Sequence, residues 1–509
     1  MKRNALVLKK IIKAGTIMVF LLLLCGSITS CGPSYKEGAM EMEKAVEQMN
    51  SRIAEIRATE SEYDKNATIY YVSTDGSDTN DGLTPETPLE TPMGANKLAK
   101  EGDVVLFKRG DEWRLRWSTK PGVTYSAYGE GPKPVFNGNK YGDAADPSCW
   151  RIVEGTDNIW EYKSIIPDVG NIVLNGGESF AKKICLDVRK DLGDKKFYVF
   201  YSTPFDFNNE AFYENNTFVS RYVHISKNGA DVNTPARLYF RCDEGNPGDV
   251  YDSIELCYRG TLIGGASNIT LDNLCIKYTG SHGIGMGTAD NVTVRNCEIG
   301  YIGGSAQHYK DYYIIRFGNG VEIYGGCKDY TVDNCYIYQC YDAGVTHQIG
   351  GGTTPFYHEN VRITDNVIEK CIYNIEFFMA GMEDGKFEER VIKNALYKGN
   401  FLAFSGEGWG HDPSRAAGIK GWDCENKSEG FVVEDNVFLA NKTHAWHLGA
   451  REKEWLPEFR NNTYIHHKGE FVRVGYPING EYVSSILNMG DKSEIASGEP
   501  GTKYFTIKN

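Results

Sequence analysis

The sequence predicts an all-β fold, a right-handed parallel β-helix, from three observations. A short Asn-bearing segment recurs through the C-terminal half, a strand with apolar alternation follows each recurrence, and Gly and Tyr abound while long amphipathic runs are few. The recurring segments are NITLDNLCI, NVTVRNCEI, YTVDNCYI, VRITDNVI, ALYKGNFL, FVVEDNVF and EFRNNTYI. Their asparagines, Asn273, Asn296, Asn334, Asn366, Asn400, Asn436 and Asn462, are spaced by 23, 38, 32, 34, 36 and 26 residues, as one coil plus loops of unequal size requires. An amide at a sharp turn can bond its equivalents in the coils above and below, so an Asn column is expected to run along the stack.

The elements follow in chain order. Residues 1–30 read as a targeting segment: Lys2, Arg3, Lys9, Lys10 and Lys13 precede an apolar run from Ile17 to Leu24, which is too short to span a bilayer. Ile28-Thr29-Ser30-Cys31 resembles the lipobox of bacterial lipoproteins, which implies cleavage before Cys31, lipidation of its thiol and a body anchored to a membrane at the cell surface or in the periplasm. Cys25 is the poorer candidate, because bulky Leu24 precedes it. Residues 31–66 follow as a helical linker in which Met42, Val46, Met49, Ile53 and Ile56 alternate at spacings of four and three, a single sticky seam expected on a stalk.

Residues 67–139 form the N-terminal cap and first coils. Ile69–Val72 is a strand, Met93–Lys100 a short helix that plugs the open end of the stack, and Asp103–Phe107 the next strand. The loop Asp75–Gly82 is acidic enough to suggest calcium, but its spacing departs from the EF-hand, and an Asx-turn loop is the reading adopted; no cofactor is expected. Residues 140–258 break the pattern with longer strands and are expected to form a β-sandwich-like insertion; residues 259–509 carry the repeats.

Composition narrows the function. Lys+Arg number 55 against Asp+Glu 68, a net charge of −13 with no basic stripe, which excludes nucleic acid as an expected partner and makes a strongly anionic polymer a less natural substrate. Of the 13 cysteines, removing Cys25 and Cys31 leaves 11 with no CxxC pair, so Cys275, Cys297 and Cys335 read as small buried apolar residues. A monomer is expected.

The strands that follow the Asn segments align on Gly or Asn followed by an apolar residue: GIGMG (283–287), GVEIY (320–324), GVTHQ (344–348), NIEFF (374–378) and GIKGW (418–422). With Ile284, Val321, Val345, Ile375 and Ile419 facing the core, alternation turns the third and fifth residues outward. One outward column is then Gly285, Glu322, Thr346, Glu376 and Lys420, and its neighbour is Gly287, Tyr324, Gln348, Phe378 and Trp422. Coils repeat at about 4.8 Å, so the Cα atoms of Glu322 and Glu376 are expected about 9–10 Å apart.

Two carboxylates at such spacing suit glycoside hydrolysis with inversion, whereas Lys420 could serve as the base of a β-elimination from a uronate. Asp342, just before its strand, is a reserve acid. Tyr324, Gln348, Phe378 and Trp422 are candidate sugar-binding residues, and the loop GEGWGHDPSRAAG (406–418) adds Trp409, His411 and Arg415. Trp446, with His444 and His447, extends the cleft by one coil, while His347 points into the core. A solvated face bearing a Glu376–Lys420 ion pair is the bland alternative.

The capped start, the insertion and the Asn coils together resemble the β-helical, pectate-lyase-like carbohydrate-active proteins, and most of all the β-helical glycoside hydrolases with β-xylosidase, xylanase or fucosidase activity. That resemblance covers nearly all of the chain after Ile69 and implies an extracellular polysaccharide or oligosaccharide as partner, with the acid pair among Glu322, Asp342 and Glu376. The polygalacturonase motifs and the Asp cluster of calcium-dependent pectate lyases are missing from the columns. A lyase using Lys420 and a noncatalytic glycan-binding β-helix remain as alternatives.

Overall fold

A computed structural model describes residues 33–183, 215–222, 225–226, 229–230, 234–310, 313–350, 357–379, 390–409, 416–421, 427–449, 453–478, 481–488 and 499–508. Among these residues three long sheets, paired almost throughout in parallel, run the length of the stack, and the chain visits each in turn once per coil. The fold is a parallel β-helix. Its interior is one continuous core in which Val294, Val332, Ile363, Tyr397, Val433 and Phe459 come from one sheet and Ile284, Val321, Val345, Ile375 and Ile419 from another.

The asparagines occupy two positions, not the single column expected from the repeat. Strands ending at Asp272, Arg295, Asp333, Thr364, Lys398, Glu434 and Arg460 lie in register, and the next residue of each coil is left-handed: Asn273, Asn296 and Asn334, then Asp365, Gly399, Asp435 and Asn461, with φ between 49° and 69°. Asn and Asp tolerate that conformation and Gly adopts it freely. Asn366, Asn400, Asn436 and Asn462 stand one residue later, fully buried, each Nδ2 of the first three donating to the next Oδ1 at 2.9–3.1 Å. Earlier coils carry Leu274, Cys297 and Cys335 at that inner place.

Helix α1, Pro33–Ala58, is not a free stalk. Its seam Met49, Ile53 and Ile56 packs on the outward face of one sheet, against Tyr336, Tyr338, Val367, Ala403, Leu439 and Ile465. Its start lies beside the last coil, where Gly38 approaches the backbone of Thr506 too closely for a Cβ. Its end lies at Glu298, which takes two hydrogen bonds from Arg57, at 2.8 and 3.1 Å. The physical reason is that the sheet face under it is apolar and the seam covers it.

Helix α2, Pro92–Leu98, closes the N-terminal end, with Ala95 and Ala99 in the core beside Val72, Leu89 and Phe107. Asp78, from the acidic loop, holds its start by accepting from the Glu90 and Thr91 amides at 3.0 and 2.9 Å and from the Thr91 hydroxyl at 2.6 Å. Where the pattern suggested a sandwich, the insertion forms among its described residues a seven-stranded, mainly antiparallel sheet and a separate two-stranded ribbon, Ile225–Ser226 with Gly229–Ala230, and Trp150, Tyr162, Ile172, Phe218, Phe240 and Leu256 lie in its own core. It meets the stack beside Gly303–Ala306, where the Ala306 amide donates to Asp168 at 2.7 Å.

Candidate active site

The third sheet carries the site, through strands Ile284–Met286, Val321–Tyr324, Ala343–Ile349, Tyr373–Met379, Ala417–Gly421 and His444–Gly449. Their register sets Gly285, Glu322, Thr346, Glu376, Lys420 and His447 in one row across the strands, with Tyr324, Gln348 and Phe378 in the next. The first row is the one expected from alternation, with His447 added; of the second, Tyr324, Gln348 and Phe378 pair as expected. Parity fixes direction but not exposure: Glu322, Thr346, Gln348, Glu376 and Lys420 face away from the helical core and are nonetheless buried.

Each charged group has a polar neighbour. Glu322 Oε2 accepts from the Asn319 amide, and His282 Nδ1 stands 3.1 Å from the same oxygen, at ion-pair distance but off the line of a hydrogen bond. Asn319 cannot turn over, because its Oδ1 accepts from the Ala343 amide at 3.0 Å; its Nδ2 must donate, and the Glu322 oxygen must accept. Burial pushes the His282 imidazole below its usual range, against the pull of the Glu322 charge, and its ring packs edge-on to Phe317 at 5.1 Å. Glu376 Oε2 accepts from the Gln348 amide, and Lys420 Nζ lies 3.2 Å from His447 Nδ1.

An aromatic rim borders the second row. Tyr324 is 44% exposed and meets half-buried Phe378 edge-to-face at 6.5 Å. Asp342 lies half-buried in the turn before its strand, its backbone oxygen accepting from the Tyr373 amide at 3.0 Å. Trp409 is held against that same turn: its ring sits 5.4 Å from Tyr341 and its indole N–H donates to the Gln339 carbonyl at 2.7 Å. Cys31, His411, Arg415 and Trp422 lie outside the described residues.

Trp446 does not join the outward row. It is in register with Ile419, stacks on Phe459 at 4.6 Å inside the stack and donates to the Tyr464 hydroxyl at 3.1 Å. Its coil substitutes Ala445 and Trp446 for the usual Gly and apolar residue, so the large aromatic takes the inward place and His447 the outward one. His347 is also inward, between His358 Nδ1 at 2.8 Å and the Tyr397 hydroxyl at 2.6 Å; burial drives both imidazoles down, His358 to about 3. His282 and Asn319 were not singled out from the sequence. They precede the outward row by three residues, across a glycine where strand alternation breaks; that recurrent glycine is the signal that could have found them.

Among the described residues no three His, Cys, Asp or Glu side chains come together as metal ligands. No family model and no curated protein matches the chain. Among solved structures it is similar to XylC, solved in complex with xylose, at 13% identity over 87% of this chain and 76% of that one, with a TM-score of 0.38. A GH136 lacto-N-biosidase from Eubacterium ramulus matches at 15% identity over 87% and 67%, TM-score 0.36. A rhamnogalacturonan lyase matches at 10% identity over 78% and 82%, TM-score 0.35. At such identities and scores no residue role passes from these proteins to this chain.

Proposed function

We propose that the protein is a glycoside hydrolase acting on an extracellular polysaccharide or oligosaccharide, with Glu322 as base and Glu376 as acid. The observation that carries this reading is the pair of buried carboxylates in one row, two strands apart, beside the rim of Tyr324 and Phe378. Two strand spacings put their Cα atoms about 9–10 Å apart, a gap that admits a water molecule with the sugar and suits inversion. In the reaction the oxygen of water bonds to the anomeric carbon as the bond to the leaving oxygen breaks; Glu322 takes the proton of water and Glu376 gives its proton to the leaving group.

Both carboxylates accept from a side-chain amide, and the roles are assigned on the amide whose orientation is fixed. Glu322 Oε2 is held as an acceptor by the Asn319 amide, which cannot turn over, so this oxygen is the one placed to face the proton of a water. Lys420, the candidate base of an elimination, is buried between Glu376 in the register and His447. Lipidation of Cys31 would place the anchor at the start of α1, beside the last coil, and labelling with a radioactive fatty acid tests it by comparison with Cys31→Ala.

The test of activity is incubation with neutral and uronate polysaccharides, following reducing ends and the ultraviolet absorbance of unsaturated uronates together. Reducing ends alone are expected. Both signals rising would replace the hydrolase with a lyase based on Lys420, and binding without either signal would replace it with a glycan-binding protein.

A further inference from the structure

We propose that Thr346 holds the attacking water, an inference that rests on the hydrolase reading above. Thr346 lies on the strand Ala343–Ile349, paired in register with Glu322 on one side and Glu376 on the other, so it occupies the midpoint of the gap between the two carboxylates. Its side chain is fully buried, and Oγ1 has no hydrogen-bond partner among the described residues. Its neighbours in the row differ: Asn319 serves Glu322, Gln348 serves Glu376 and His447 stands by Lys420.

A buried hydroxyl without a partner is unfavourable, and one in a folded protein calls for a reason. Valine has the same shape and suits a strand at least as well, so packing does not require the hydroxyl. A hydroxyl offers one proton and two lone pairs, which match a water that gives its own proton to a carboxylate. Here the carboxylate with a fixed acceptor oxygen is Glu322, one strand away, about 4.8 Å along the sheet. Held by Thr346 and Glu322 at once, that water faces along the row toward the Glu376 side, so it meets the anomeric carbon opposite the bond whose leaving oxygen Glu376 protonates. A hydroxyl of the substrate offers the same contact, and kinetics separate the two.

The experiment compares wild type, Thr346→Val and Thr346→Ser on whichever polysaccharide the wild type cleaves fastest. Misplacing a reacting group costs roughly 100-fold, so Thr346→Val is expected to lower kcat by about that factor with KM nearly unchanged, while Thr346→Ser, which keeps the hydroxyl, restores most of it. An unaltered kcat in Thr346→Val overturns the inference, as does a rise in KM alone, which would assign the hydroxyl to the substrate. A wild type active on its substrate with an indifferent Thr346→Val leaves the hydrolase reading standing, whereas a wild type inactive throughout defeats that reading by itself. Crystal structures then decide the site without turnover: water bonded to Thr346 Oγ1 and a Glu322 oxygen, lost in Thr346→Val, supports a water site there, and a Thr346 hydroxyl bonded to a protein group overturns it.

Discussion

Two outward faces of the same coils bury a carboxylate in different ways. Under helix α1, Glu298 meets cations: Arg57 in two hydrogen bonds and Lys277 at 2.8 Å, with the Tyr338 hydroxyl adding a third bond at 3.1 Å. Burial pushes its pKa up, but the Arg57 and Lys277 charges outweigh that and hold it down at about 2. In the row of the third sheet, Glu322 meets an amide and an imidazole whose charged form burial disfavours. A carboxylate locked by two cations has no proton to exchange near neutral pH and serves the packing of a helix. One that meets a neutral amide in place of two cations is the better placed for proton transfer.

The largest effects should come from the two carboxylates of the row. Glu376→Gln and Glu322→Gln are each expected to lower kcat by roughly 1,000-fold while leaving glycan binding within a few-fold, since general acid and base catalysis contribute about 100- to 10,000-fold apiece. Isothermal titration of the inactive variants checks the binding half. Loss of binding instead would make both residues part of the recognition surface and erase the contrast with Glu298.

Next in size is the ladder. Asn400 accepts from the Asn366 amide and side chain and donates to Ile363 and Asn436, so Asn400→Ala strands several buried groups and should cost about 2–4 kcal/mol in denaturant unfolding. Asn296, in a left-handed turn, accepts from Asn334 and donates to Asp272, and Asn296→Ala should cost about half as much. Equal losses would mean that the two positions are one after all.

Arg57→Ala tests the helix side. The folded Glu298 pKa is depressed, so its stabilisation is present above the unfolded value of about 4.5 and is lost as pH falls toward 2. With Arg57 half exposed and screened, the contribution is on the order of 1–2 kcal/mol. Thermal melts of Arg57→Ala should therefore be lower at pH 7 and converge on wild type near pH 2, with kcat unchanged. The smallest effect is that of the rim: Tyr324→Ala should raise KM by about tenfold at constant kcat, the worth of one ring against a sugar.

Much of this was legible from the residues. Strand alternation, anchored on Gly or Asn before an apolar residue, places Glu322, Thr346, Glu376 and Lys420 in their row because a period of two leaves no other choice. Where that anchor changes, as at Ala445-Trp446, the reading went wrong, and where a turn breaks the alternation, His282 and Asn319 were missed. The seam of α1 was visible, but its partner was not: segments such as Tyr336–Cys340 are apolar on both faces, a pattern that says buried without saying by what.

The most direct test of the two-carboxylate account is proton NMR of the sugar at the moment of release from a substrate of known anomeric configuration. Opposed carboxylates across a water-holding threonine predict the inverted anomer first, with mutarotation following. Release of the retained anomer would mean that one carboxylate attacks carbon directly, and would contradict the placement of water at Thr346.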